Sequence, residues 1–150
     1  KIGLLYVAPG QDTERAILGN DSASPMYHQF VASLGWEVDL RTHGGYRGRL
    51  EAEENHYTAV YYANSTTEIM YHDAIRMPTV ADDSQQLKKK RHIGNDHVHI
   101  VWNEHRRDYR PDTIGGDFGN VQIIVTPRPN GLFAIDVFRD QRVCFEECSF

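Results

Sequence analysis

Cysteine is nearly absent: Cys144 and Cys148 are the two in 150 residues. One pair cannot build the disulfide framework of a small secreted domain, and without a second pair it makes no four-cysteine zinc site. A reducing, intracellular and cytoplasmic setting is therefore expected. Long apolar runs are also missing. The longest, such as IGLLYV at positions 2–7, span only a few residues, whereas a bilayer-crossing helix needs about twenty. The opening KIGLLYVAPG is too short for a secretory leader, so no membrane segment is expected. The chain starts at Lys1 rather than Met and stops soon after VCFEECSF, which reads as an excerpt from a longer protein. GxxxxGK[ST], GxGxxG and GxSxG do not occur, so the chain brings no phosphate loop, dinucleotide fingerprint or hydrolase elbow of its own.

Positive charge is the scarcer sign, with 16 Lys and Arg against 21 Asp and Glu and a net charge of −5. An acidic body repels a polyanionic backbone, and no nucleic-acid partner is expected. The cations cluster instead at Lys88, Lys89, Lys90 and Arg91, and again in HRRDYR at 105–110. Such patches suit an acidic protein or a nucleotide-bearing partner, and equally suit plain solvated helix and loop surfaces.

What is present describes one globular domain: 40% hydrophobic residues and 11% aromatic ones, in a length that fills a single core. IGLLYV, closed by Pro9 and Gly10, has the pattern of a strand buried on both faces. SASPMYHQFVASLG predicts a helix: Ser24 caps, Pro25 suits the first position, Tyr27, Phe30, Val31 and Leu34 make one apolar face, and Gly35 ends it. WEVDL alternates as a strand with one wet face, and YTAVYYA and EIMYHDAI read as two strands about an NSTT turn. DDSQQLKKKR carries a helix start at Asp83 or Ser84 and basic residues toward its end. VHIVW, VQIIVT and LFAIDVF complete about seven strands, the last two joined by PRPNG. The fold class expected is α/β, a mixed central β-sheet with helices on both faces. Strand order is not legible.

Eight histidines raise the question of metal. His97 and His99 share a strand face, but no carboxylate falls in register with them, so they read as ordinary strand residues and no metal is expected. HGGYRG lacks the Lys-Ser/Thr signature of a phosphate loop and reads as a tight or flexible turn. More informative is KKKRHIGNDHVHIVW at 88–102, which runs from basic helix through a glycine elbow into a strand. Gly94 is expected to take a left-handed conformation, with Asn95 and Asp96 in the turn after it. GND is then either a mere C-cap or a joint that turns His92, Asn95 and Asp96 outward.

At these residues the chain resembles the Rap/Ral/Rheb GTPase-activating domain family. KKKRHIGNDHVHIVWNEHRRDYRPDTI is similar to that family's catalytic helix and following strand, and LLYVAPGQ, AILGN, YHQFVASLGWEVDL, YYANSTTEIMYH and MPT fall in the family's order. LGWEVDLRTHGGYRG and WNEHRRDYR look closest to its RalGAP α-subunit branch, and DTIGGDFGNVQIIVTP is also similar to its tuberin branch. The resemblance implies a GTPase activator rather than a hydrolase with its own nucleotide site. Asn95 falls on the position of the family's asparagine thumb, supplied in trans; Lys90, Arg91, His92 and Asp96 fall on positions that contact or support the GTPase. The implied partner is a Ras-like small GTPase, Ral first and Rheb or Rap next, carrying GTP and Mg²⁺, with no cofactor in the chain itself and an obligate regulatory subunit to be looked for. Arg91, Arg106, Arg107 and Arg110 leave an arginine-finger route open. The alternative reading is a non-catalytic GTPase-binding or scaffolding domain of the same fold. The family pattern has paired glycines where this chain reads YRGRL, so Arg49 departs from it. The family's domain continues in helices after its last strand, so residues 1–150 read as the domain without those helices.

Overall fold

The computed structural model describes residues 1–52, 58–80, 82–116 and 118–140. In chain order the elements are β1 (Ile2–Val7), α1 (Glu14–Leu18), α2 (Pro25–Leu34), β2 (Trp36–Asp39), β3 (Thr58–Ala63), β4 (Glu68–Asp73), α3 (Leu87–Ile93), β5 (Val98–Asn103), β6 (Val121–Pro127) and β7 (Phe133–Arg139). They form one seven-stranded sheet in the order β2-β3-β4-β1-β5-β6-β7. β4, β1, β5 and β6 run parallel, while β2/β3, β3/β4 and β6/β7 are antiparallel pairs.

β1 lies at the centre because it is apolar on both sides. Leu5 and Val7 join a core with Ile17, Leu18, Ile93 and Val101, whereas Leu4 and Tyr6 join one with Tyr27, Val31, Val60 and Trp102. Successive residues of a strand face opposite ways, so one short run feeds two cores. α1 and α3 supply the first face and α2 the second, giving the α/β sheet with helices on both sides that the pattern implies. A third cluster, Leu40, Leu50, Ala59, Tyr61, Met70 and Met77, closes the β2-β3-β4 end.

α2 forms as its sequence dictates: Ser24 Oγ accepts from Tyr27 N, and Pro25 occupies the first turn. The Tyr27 hydroxyl donates to Asp73 Oδ1 at 2.7 Å, joining α2 to β4. In the NSTT turn Asn64 Oδ1 accepts from Thr66 N and Thr67 N, each at 2.9 Å. β2 is an edge strand whose Trp36 is half exposed. β7 is the opposite edge, with Phe133, Ile135 and Val137 exposed. Tyr57 of YTAVYYA and the stretch containing Cys144 and Cys148 lie outside the described residues.

Two local expectations are corrected. α3 begins at Leu87 rather than at Asp83 or Ser84, because Gln86 at φ 52° and ψ 40° turns the chain left-handed just before it. Asp83 still serves the helix, with Oδ2 accepting from Lys88 N at 2.9 Å. Gly94 is right-handed, at φ −63°, so its requirement is space and not φ. A Cβ there would lie 2.9 Å from Lys90 O, and one on Gly116 would lie 2.9 Å from Gly94 O.

Candidate functional site

The elbow Gly94-Asn95-Asp96 continues α3 in tighter turns. Gly94 N donates to Lys90 O at 2.7 Å, Asn95 N to His92 O at 3.1 Å and Asp96 N to Ile93 O at 3.0 Å. β5 then starts at Val98 beside β1, in register Ile2 to Val98. The elbow therefore sits at the amino-terminal end of the central parallel strands.

Beneath it one row of the sheet reads His72-Gly3-His99, since Gly3 pairs with His72 on one side and His99 on the other. Gly3 allows the elbow to descend: a Cβ there would lie 2.9 Å from His99 Cδ2 and 3.4 Å from Asp96 Oδ2 and from Ile93 Cγ2. Asp96 is fully buried over that gap. Its Oδ2 is 2.7 Å from His72 Nδ1, and its Oδ1 is 3.2 Å from Lys1 Nζ, an ion-pair contact without hydrogen-bond geometry. His72 Nε2 donates to Gly48 O at 2.9 Å, and His99 Nε2 donates to Ile93 O at 2.8 Å. A buried carboxylate is costly unless paired and hydrogen-bonded, so this network fixes the elbow's position.

Asn95 alone of the three elbow-flanking polar residues faces out. Its Nδ2 donates to Arg91 O at 2.6 Å, which aims the carboxamide and leaves Oδ1 and one N–H for another molecule. It opens on a groove of about 280 Å³ lined by Lys1, Arg49, Glu51, Arg91, His92 and Asn95.

His92 and Asp96 are not turned outward, a correction to the open-joint reading: the helix winds His92 onto the sheet, and Asp96 drops over Gly3. His92 is 5% exposed and packs edge-on to His72, with ring centroids 5.3 Å apart. Burial, then the neighbouring His72 and Arg91, hold its pKa down to about 4, so the ring is neutral at pH 7. Burial also lowers the pKa of His99.

The basic run is not one patch. Lys89 is 1% exposed, and its ammonium donates to Asn20 O at 2.9 Å and Thr79 Oγ1 at 2.8 Å; burial lowers its pKa to about 8. Lys90 turns away from the groove to pair with Glu14 at 2.7 Å, while Arg91 stays exposed on the rim. Arg106, Arg107 and Arg110 follow the far end of β5, and six residues of strand separate the two ends by roughly 20 Å. None of those three lines the groove beside Asn95. His97 binds Asn120 Oδ1 at 2.8 Å while His99 is buried beneath α3, and no metal-holding cluster of three His, Cys, Asp or Glu occurs among the described residues.

Sequence reasoning missed Gly3 and His72. The first looked like one more small residue in an apolar run, and the second became meaningful once β4 and β1 were seen to pair. It also missed α1, whose five residues are too short for a periodic signal.

The fold and site define an α/β domain with one exposed carboxamide, Asn95, at the amino-terminal end of its central parallel strands. The Rap/ran-GAP family model matches residues 17–147, and the chain belongs to that family. Ral GTPase-activating protein subunit alpha-2 of Mus musculus is 49% identical over 146 residues, which cover 97% of the chain and 8% of that protein. Ral GTPase-activating protein subunit alpha-1 of Homo sapiens is 46% identical over 146 residues, covering 97% of the chain and 7% of the protein. The chain thus spans under a tenth of the length of these relatives. The solved structure of the TSC2 GAP domain superposes with a TM-score of 0.89 at 32% identity, covering 93% of this chain and 80% of that one. Among the described residues no helix is long and apolar enough to cross a membrane.

Proposed function

We propose that this domain accelerates GTP hydrolysis on a docked Ras-like small GTPase, with Asn95 as the group supplied in trans. The observation that carries this is an exposed carboxamide on a rigid elbow: one N–H is tied to Arg91 O, and the residue is flanked by the buried His92 and Asp96. Phosphoryl transfer asks for an oriented water and stabilised charge more than for covalent help. The carboxamide Oδ1 accepts from the attacking water, and its remaining N–H meets a phosphate oxygen. Preorganisation by His72, His99 and Asp96 lowers the ordering required on docking. His92, neutral and buried, packs against His72 under the elbow; Arg91 on the rim contacts the partner, and Lys90 acts through the α1 contact.

The GTP and Mg²⁺ belong to the partner, and the domain contributes no cofactor. Ral is the first substrate to test, because the relatives are named for it, with Rheb and Rap next. Those relatives are also named as subunits, which supports a second subunit in the working complex.

Single-turnover hydrolysis on GTP-loaded Ral, Rheb and Rap tests the reading. Activators of this general kind are worth roughly 10³–10⁵ in rate, or about 4–7 kcal/mol of barrier. Asn95→Ala is expected to remove most of that while leaving the thermal transition in place. Stimulation unchanged by the substitution removes Asn95 from the mechanism, and tight binding without acceleration by the unmodified protein favours a scaffolding domain.

A further inference from the structure

One cation in the Asn95 groove has no hydrogen-bond or ion-pair partner among the described residues. Arg49 has φ of 72° and directly follows Gly48 at φ 61°, so two consecutive residues are left-handed. Glycine takes that conformation freely, whereas a side chain there is strained. The conformation is imposed from both sides. Gly48 is buried, and its carbonyl accepts from His72 Nε2 at 2.9 Å. A Cβ on it would lie 3.0 Å from Met70 Cβ and 3.1 Å from His72 Nε2. Leu50 is 5% exposed, and its N–H donates to Arg47 O at 3.0 Å. Between these two fixed residues the Arg49 backbone is held left-handed, and Arg49 lines the groove beside Asn95.

Four other arginines fold back on the domain. Arg41 pairs with Asp39, Arg76 with Glu37 and Arg110 with Asp112, and Arg47 donates to His43 O. Arg49 is exposed and has no hydrogen-bond or ion-pair partner among the described residues. Its groove neighbours are occupied: Lys1 pairs with Asp96, and Arg91 and Glu51 each have partners. A strained residue without a partner among the described residues is a candidate for work on another molecule.

We propose that Arg49 is a second docking residue of this site, its guanidinium taking a pair of anionic oxygens that the bound GTPase presents next to Asn95. This rests on the GTPase-activating reading above. A guanidinium fork matches a carboxylate or a phosphate equally, since both offer two oxygens to parallel N–H groups. The source is either an acidic side chain on the GTPase surface or the phosphate oxygens of its nucleotide, and the two differ in the step they affect.

The test compares Arg49→Gly, Arg49→Lys and Asn95→Ala in single-turnover hydrolysis on GTP-loaded Ral, over a range of activator concentrations and at two ionic strengths. Arg49→Gly relieves the left-handed strain, so its melting temperature is expected to hold or rise while kcat/KM falls roughly tenfold. Should that variant fail to fold, Arg49→Asn tolerates the same backbone and carries the comparison. Arg49→Lys keeps the charge without the fork and is expected to recover part of the loss. A loss confined to KM that shrinks with added salt assigns the carboxylate source, and a loss in kcat assigns the phosphate source. Full kcat/KM in Arg49→Gly together with an inactive Asn95→Ala overturns the Arg49 proposal alone. Full activity in Asn95→Ala overturns the underlying reading.

Discussion

His72 and His99 flank Gly3 in a single row of the sheet, and both reach the same elbow: His72 Nδ1 meets Asp96 Oδ2 at 2.7 Å, and His99 Nε2 meets Ile93 O at 2.8 Å. Asn95 lies between the two anchored residues. Two strands that pair with β1 from opposite sides thus hold one turn, and no local signal in the 88–102 stretch encodes that restraint.

Asp96→Ala removes the acceptor that joins His72 and Lys1. Breaking a buried pair by deleting one partner typically costs about 3–5 kcal/mol. The urea midpoint should fall accordingly with the slope unchanged. At temperatures where the variant remains folded, GTPase stimulation should also fall, because the carboxamide loses its rigid base. A variant as stable as the unmodified protein would show the pair to be dispensable.

Burial of His92 gives the domain an acid sensitivity whose sign is fixed. An unfolded histidine takes up its proton near pH 6.5, whereas the folded ring resists until about 4. Between those values the unfolded chain binds more protons, so stability is present above pH 6.5 and declines as pH falls toward 4. The loss from this residue is on the order of 1–3 kcal/mol. Chemical denaturation of the unmodified protein and of His92→Phe across pH 4–7 checks it; the two curves should converge toward low pH. Parallel curves would assign the acid sensitivity to other groups.

Lys89 acts in the same direction on the alkaline side. Its folded pKa is lowered to about 8, by burial, while an unfolded lysine titrates near 10.4. Stability should therefore rise between pH 8 and 10, as the unfolded state holds a proton that the folded state has released. Lys89→Met, which keeps the stem and removes the ammonium, should flatten that rise. An unchanged slope in the variant would show that Lys89 is not its source.

The main elements were legible because each is written locally. The Ser24 and Pro25 start of α2, the doubly apolar β1, and the NSTT turn were all readable from a few neighbouring residues. Asn95 was singled out by resemblance alone, since nothing in an isolated GND distinguishes a presented carboxamide from an ordinary C-cap. The burial of His92 and Asp96 was not legible, because it depends on Gly3, some ninety residues away in the chain. Lys89 was misread for a related reason: within KKKR only the rotation of α3 decides which lysine faces the core. The turn at Arg49 combined both problems, since its left-handed backbone follows from His72 holding Gly48 from a strand that comes later.

Gly3→Ala isolates the elbow's seat from its chemistry. The added Cβ would fall 2.9 Å from His99 Cδ2, with Asp96 Oδ2 and Ile93 Cγ2 at 3.4 Å, so the imidazole or the elbow must shift by a few tenths of an ångström. Overpacking of this kind costs about 1–3 kcal/mol. No charge, hydrogen-bonding group or rim residue is removed, and the groove keeps Arg49, Arg91 and Asn95. Binding of the GTPase should therefore be nearly preserved, while the rate of hydrolysis within the complex drops, because a small displacement of the carboxamide spoils the alignment of water and phosphate. Stimulated hydrolysis at saturating activator separates these effects. A fall in kcat with KM unchanged supports a catalytic turn positioned by the sheet, and a weakened KM at full kcat would mean that the elbow serves docking alone.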